Sequence, residues 1–335
     1  MKTIRDRIDE WVNKVGIILT YHRVADLEHD PWQLGVSPRR FEEQMQVLKK
    51  YGRPVQMREI GETLNHFSLG QRKVVVTFDD GYADNFQNAR PILQKYGIPA
   101  TFFITTGAIN SREEFWWDEI GRLTLAASRV PDTFEMTIKG THYRWLINSE
   151  DKETVSENQL LADGILPNGT TLSKKRFYYI LWQILNRLSG EERKTVLKEI
   201  AQWAGQSSEA RPDHLPMTSE ELKSLASDKL FEIGAHTVCH PMLSRLSERE
   251  QEKEIVRSKQ DLEDILDRPV ASFAYPHGDY TEETVKMVKK NKFKYACTVT
   301  PKRIAKNSDP FRLSRFGVSN WSGDQFEEKI KKWLS

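Results

Sequence analysis

Short apolar runs punctuate the chain at residues 17–21, 73–78, 100–104, 230–235, 271–275, 295–299 and 313–318. Each is rich in β-branched or aromatic residues and only five or six residues long, which is the signature of a strand buried on both faces. Stretches of helical periodicity separate most of them. Ser37-Pro38 supplies an N-cap and a first-turn proline for a helix over 39–51, which Gly52 ends. A second helical pattern over 84–96 stops at Gly97 and Pro99. Thr218-Ser219-Glu220-Glu221 and Ser247-Glu248-Arg249-Glu250 each spell a capping box, opening helices over 220–226 and 248–266, and 324–334 forms a terminal amphipathic helix. Alternating strands and helices on this scale predict an α/β fold with a parallel sheet or barrel.

One region departs from that rhythm. Between about residues 106 and 217 strand signals are sparse, and aromatic helical patterns run over 174–188 and 191–204. The stretch 149–171 is polar with several glycines and reads as a loop or cover. The region's ends return beside the strand that carries His236. The expectation is therefore a mostly helical insertion at 106–217 inside a single domain spanning 1–335. No internal repeat is visible.

Composition narrows the function classes. Among 335 residues, 50 Lys plus Arg stand against 48 Asp plus Glu. That balance argues against a nucleic-acid partner, which needs a clustered basic footprint. The basic stretch Lys286, Lys289, Lys290, Lys292, Lys294 reads first as the solvated face of a helix and second as a peripheral contact for anionic lipid. Two cysteines, Cys239 and Cys297, imply no disulfide framework. The charged start at 1–10 does not read as a signal peptide and no run is long enough for a membrane span, so a cytoplasmic protein is expected, with the inner membrane face left open. Oligomeric state is not legible.

Chemistry concentrates in two places. Thr77-Phe78-Asp79-Asp80-Gly81-Tyr82 sets two carboxylates at the C-terminal end of a strand, with Gly81 allowing the turn out. His236-Thr237-Val238-Cys239-His240 follows another strand-like run, and if it forms one helical turn both imidazoles point the same way. Two imidazoles and one carboxylate suit a zinc-like ion and leave a position open for water, with the second carboxylate spare as a base. Each motif alone has an ordinary reading, as a solvated turn or a helix-surface pair. Together, at strand ends of an α/β chain, they define a site.

These residues resemble the polysaccharide deacetylases of carbohydrate esterase family four, the chitooligosaccharide deacetylase homology domain. Thr77–Gly81 and His236–His240 match its first two motifs, and 271–278, with Ala274-Tyr275-Pro276-His277, looks like its third. The resemblance covers roughly 15–110 and 217–321. It implies a deformed barrel of seven or eight β/α units with the metal at its C-terminal rim. It further implies Asp79 as general base, Asp80, His236 and His240 as ligands of a divalent metal, and an oxyanion contact from the backbone N–H of His277. Zinc suits that set, with cobalt, nickel or manganese as alternatives. The family's third-motif arginine falls at Ala274, and Arg315 is the candidate replacement, with an ordinary structural arginine as the other reading. The family's C-terminal acid motif is missing, but Leu19-Thr20-Tyr21-His22 has the same spacing on an N-terminal strand, as in permuted members. His22 is thus the expected general acid and His277 its rival.

Aromatic residues near strand ends or the insertion, namely Tyr82, Trp117 and Trp321, suit sugar faces, as do Tyr275 and Pro276 of the third motif; each could equally be packing. The resemblance implies an N-acetylated amino sugar in a polysaccharide, an oligosaccharide, or a lipid- or nucleotide-linked precursor. Two other readings stay open: a sugar N-deformylase or related amidohydrolase, and a non-catalytic carbohydrate-binding relative. The loss of arginine at Ala274 favours the last, while Asp79 beside a full ligand set argues against it.

Overall fold

The computed structural model describes residues 14–64, 73–150, 154–207 and 209–335. The charged stretch at 1–10 and part of the polar stretch at 149–171 lie outside the described residues. In chain order the strands are β1 (Lys14–Tyr21), β2 (Arg53–Pro54), β3 (Lys73–Phe78), β4 (Ala100–Ile104), β5 (Thr133–Ile138), β6 (Thr141–Asn148), β7 (Thr171–Ser173), β8 (Phe231–Ala235), β9 (Ser272–Ala274), β10 (Tyr295–Cys297), β11 (Ile304–Ala305) and β12 (Phe316–Gly317). The α-helices are α1 (Pro38–Tyr51), α2 (Met57–Leu64), α3 (Arg90–Tyr96), α4 (Trp116–Thr124), α5 (Glu157–Asp163), α6 (Lys174–Leu185), α7 (Gly190–Ala204), α8 (Ser219–Ser227), α9 (Glu248–Leu266), α10 (Glu282–Lys290) and α11 (Gly323–Leu334). Two compact units divide the chain: one holds the residues up to Asp26, Leu34–Ser111 and Pro216–Ser335, the other Leu27–Gln33 and Arg112–Leu215.

The first unit is built on a curled sheet in the order β10-β9-β8-β4-β3-β1-β11, parallel except at β11. One segment links β10 to β1. Leu313 bridges Cys297 of β10, and three residues later β12 pairs in parallel with Leu19 and Thr20 of β1. The strand expected over 313–318 is therefore reduced to Phe316–Gly317, because the segment changes partners midway and Arg315 turns inward at the change.

Period-two alternation divides the sheet's side chains. Ile18, Val75, Phe103, Ala274, Cys297 and Leu313 form the inner cluster, which Met57, Ile60 and Leu64 of α2 close. Ile17, Leu19, Tyr21, Val74, Val76, Phe78, Phe102 and Phe273 face the helical layer with Phe41, Leu222, Ile255 and Phe326. The expected caps are present: Ser37, Thr218 and Ser247 each accept a hydrogen bond from the third residue of their helix. The helix expected over 84–96 opens instead with a π-helical turn at Asn85–Ala89. On α10, Lys286 pairs with Glu283 and Lys290 with Glu252, so this part of the basic stretch is locally neutralised.

The second unit adds an element that the expectation of a mostly helical insertion did not include. It contains a three-stranded sheet, β5-β6-β7, besides α4 to α7. Lys139 (φ 50°) and Gly140 (φ 77°) form a two-residue turn between β5 and β6, the mirror-image turn that matches strand twist. The polar stretch before β7 also contains α5, capped by Ser156. Phe134, Trp145, Phe177 and Trp203 pack as one aromatic cluster. Among the described residues no helix is long and apolar enough to cross a membrane.

Candidate metal centre and active site

The inward alternation of β3 runs Val75, Thr77, Asp79, so the first carboxylate emerges at the centre of the sheet's C-terminal end. Its backbone N–H donates to Tyr21 C=O (3.0 Å), extending the β1–β3 ladder by one residue and setting His22 level with Asp79. His22 is half-buried, and its carbonyl accepts a hydrogen bond from the Asn85 side chain (2.8 Å). Asp80 follows at φ +72° and Gly81 at φ +93°, which turns the chain sharply. That turn is tied across the sheet by Thr105 N–H to Asp80 C=O (3.1 Å).

Arg315 meets Asp79 fork to fork. Nη1 to Oδ1 and Nη2 to Oδ2 are each 2.7 Å, and both side chains are buried. The guanidinium also donates to Thr298 C=O (2.9 Å) and Thr77 Oγ1 (3.2 Å), and lies 5.6 Å from the Phe103 ring centroid. Burial alone would raise the Asp79 carboxyl; the Arg315 charge, then His236, oppose it, and the result is lowered to about 2. Asp79 is a carboxylate throughout the neutral range. Arg315 thus makes the contact with Asp79 for which it was the candidate, while Ala274 sits in the inner cluster.

The other carboxylate faces two imidazoles. Asp80 Oδ1 lies 3.5 Å from His236 Nε2 and 3.4 Å from His240 Nε2. All three residues are buried, and a ligand atom from each lies within 4.8 Å of the others. His236 Nδ1 is 2.8 Å from Ala274 C=O, which can only accept, so Nδ1 carries the proton and Nε2 presents its lone pair. Asp80 Oδ1 is buried with no hydrogen-bond partner among the described residues. A buried carboxylate oxygen left so and converging with an imidazole lone pair fits a divalent cation.

The route by which the imidazoles converge differs from the helical turn read from the sequence. Thr237 (φ 63°) and His240 (φ 55°) lie in the left-handed region, so residues 236–240 form a loop. A positive φ is costly for a β-branched residue. Thr237 Oγ1 steadies the loop by accepting from His240 N–H (3.1 Å) and donating to His236 C=O (2.6 Å). His277, also at positive φ (56°), stacks edge-on to His240 with ring centroids 4.5 Å apart. Burial outweighs the nearby Asp80 charge and lowers the His277 pKa to about 4, so the ring is neutral at pH 7.

The aromatic candidates fall elsewhere. Tyr82 and Tyr275 are fully buried; Arg23 covers the Tyr82 ring at 4.4 Å, and Tyr275 donates to Phe311 C=O (3.0 Å). Pro276 is buried as well. Trp117 stacks on Phe115 within the second unit, and Trp321 packs against Trp333 of α11 beneath Lys329. These three rings and Pro276 are buried, and of the five candidates Trp321 alone is partly exposed. Two features escaped the sequence reading. Glu254 of α9 accepts the N–H groups of Val238 and Cys239, and Asn85 holds His22; both lie among ordinary charged or polar helix positions with no distinguishing spacing.

The model of the family described as polysaccharide deacetylase matches residues 68–154 and 180–296, which include Asp79, Asp80, His236, His240 and His277. The chain belongs to the polysaccharide deacetylase family. It is 22% identical over 301 residues to the poly-β-1,6-N-acetyl-D-glucosamine N-deacetylase of Staphylococcus aureus, covering 89% of this chain and 71% of that one. It is 21% identical over 317 residues to YxkH of Bacillus subtilis, covering 94% and 75%. The fold is similar to that of the Streptococcus pyogenes deacetylase PplD, solved in complex with acetate, with a TM-score of 0.58 at 18% identity over 96% of this chain and 98% of that chain. This polysaccharide deacetylase is accordingly a hydrolase that acts on acetylated carbohydrate.

Proposed function

We propose that this deacetylase removes N-acetyl groups from an amino-sugar polymer or its precursor, with Asp80, His236 and His240 holding a divalent cation and Asp79 acting as base. The observation that carries this reading is the division of labour between adjacent carboxylates: Asp79 is claimed by Arg315, and Asp80 is left facing two imidazoles. Zinc suits the donor set best, and cobalt, nickel or manganese are the alternatives. A base held as low as Asp79 takes protons only from acidified water, and a bound divalent cation supplies that acidification together with polarisation of the amide carbonyl.

The side chains divide the remaining work. Each Asp79 oxygen accepts one hydrogen bond from Arg315 and keeps a second lone pair, so the carboxylate can take the proton of an attacking water without leaving its fork. Arg315 fixes the direction of that lone pair. The backbone N–H of His277, in the tight turn after β9, is the donor assigned to the developing oxyanion. His22, at the end of the strand beside Asp79, delivers a proton to the departing amine. The relatives named for poly-β-1,6-N-acetyl-D-glucosamine make β-1,6-linked N-acetylglucosamine oligomers the first substrate to try.

The test is acetate release from such oligomers by zinc-loaded protein. Wild type is expected to release acetate, and Asp79→Asn to lose about 10²–10⁴-fold in rate. Equal rates in the two proteins would remove Asp79 from the chemistry. No release from any N-acetyl sugar by zinc-loaded wild type would favour a binding role.

A further inference from the structure

The loop carrying both imidazoles has no secondary structure of its own, and its outer side is gripped by α9. One oxygen of Glu254, Oε2, accepts the N–H groups of Val238 (2.8 Å) and Cys239 (2.9 Å). The turn after β4 holds the loop's carbonyls, donating Thr106 N–H to Thr237 C=O (3.1 Å) and Gly107 N–H to Val238 C=O (2.9 Å). The same helix reaches that turn two helical turns further on, where Asp261 accepts from Thr106 Oγ1 (2.8 Å). The strained backbone at Thr237 and His240 is therefore clamped between a carboxylate and a backbone ladder, and neither clamp touches a ligand side chain.

We propose that Glu254 is a positioning residue for the metal centre, fixing the Val238 and Cys239 amides so that the loop keeps the path that aims His236 and His240 at Asp80. The inference rests on the metal-site reading given above. Its physical basis is the setting of those amides. Val238 is half-buried and Cys239 exposed, beside an open groove of about 580 Å³ lined in part by Lys253 and Glu254. Without the carboxylate, water can satisfy both N–H groups, so little folding stability is lost. What disappears is one of the partners that hold the positive-φ path over relaxed alternatives, the only carboxylate among those named above. The cost then falls on cation binding, because a relaxed loop must be re-ordered each time the imidazoles converge.

The experiment compares zinc affinity by chelator competition in full-length wild type, Glu254→Met, Glu254→Gln and the same-helix control Asp264→Asn. Methionine keeps the length and removes the acceptor; glutamine keeps an acceptor oxygen. Glu254→Met is expected to bind zinc about 10–100-fold more weakly, with metal-free melting nearly unchanged and kcat recovering at saturating zinc. Glu254→Gln and Asp264→Asn are expected to stay close to wild type. Wild-type zinc affinity in Glu254→Met, or a drop in metal-free melting with affinity intact, overturns the proposal while leaving the metal centre standing. Failure of wild type itself to bind zinc overturns both. If Glu254→Met does not fold, Glu254→Gln in a Thr237→Ala background takes its place: without the Thr237 clamp the weaker neutral acceptor is expected to lose affinity relative to Thr237→Ala alone, and equality between the two overturns the proposal.

Discussion

Asp79 and Asp80 are bonded neighbours that folding sends into opposite surroundings. One points along the inner face of β3 to a buried guanidinium, the other is turned by its positive φ toward two imidazoles. The fork leaves a signature in stability. Asp79 is lowered from the usual 3.8 to about 2, chiefly by Arg315 acting against burial. A lowered folded-state pKa contributes stability that is present above pH 3.8 and lost as pH falls towards 2, on the order of 2 kcal/mol here. Denaturation of metal-free protein between pH 5 and 2 should therefore show a steeper loss for wild type than for Asp79→Asn; parallel curves would mean that the fork does not bias the carboxyl. Arg315→Lys keeps the charge but not the two parallel bonds, and should lower kcat by roughly 10²-fold with KM little changed, since a misdirected base fails mainly in the transition state. A large rise in KM alone would assign Arg315 to substrate binding. The clustering of Asp79, Asp80, His236 and His240 was legible because motif and strand end coincide within a few residues. Arg315 was legible only as a candidate, since it lies 236 positions from its partner and closes the sheet from the other end.

At the scale of elements, the site is made by strand ends and the turns that tie them together. Asp80, Thr237, His240 and His277 all lie at positive φ, so four non-glycine residues in the left-handed region sit in the loops after β3, β8 and β9. This strain explains why a His-x-x-x-His spacing misled: the spacing matches a helical turn, but Thr237 and Glu254 bond the backbone in a way a helix would not allow. The β5–β6 hairpin was missed for a different reason. Its alternation at Phe134, Ile138, Trp145 and Ile147 surrounds a Lys139-Gly140 turn, yet the aromatic helices downstream dominated the reading of the region. Gly107 shows how closely the turns fit. A Cβ there would stand 2.6 Å from Val238 C=O, the oxygen its own N–H binds. Gly107→Ala should cost ~1–3 kcal/mol of stability and weaken zinc binding, measured by thermal melting and chelator competition; unchanged zinc affinity would show that the imidazole loop does not depend on this contact.

Across the whole molecule, the sheet of the first unit is assembled from both ends of the chain. β1 lies beside β3, and the segment from Leu313 to Gly317 joins β10 to β1 while delivering Arg315 to Asp79. That arrangement accounts for an acid candidate at His22 in place of a C-terminal one, because neighbours in a curled sheet need not be neighbours in sequence. The alternation of strands and helices announced the sheet, while the change of partners at 313–317 depends on pairings too short to leave a pattern. The central claim, that Asp80 grips a cation and Asp79 does not, is tested most directly by zinc titration of wild type, Asp79→Asn and Asp80→Asn. One equivalent should bind to the first two with similar affinity, and binding to Asp80→Asn should weaken sharply. Loss of zinc from Asp79→Asn with retention by Asp80→Asn would contradict the account.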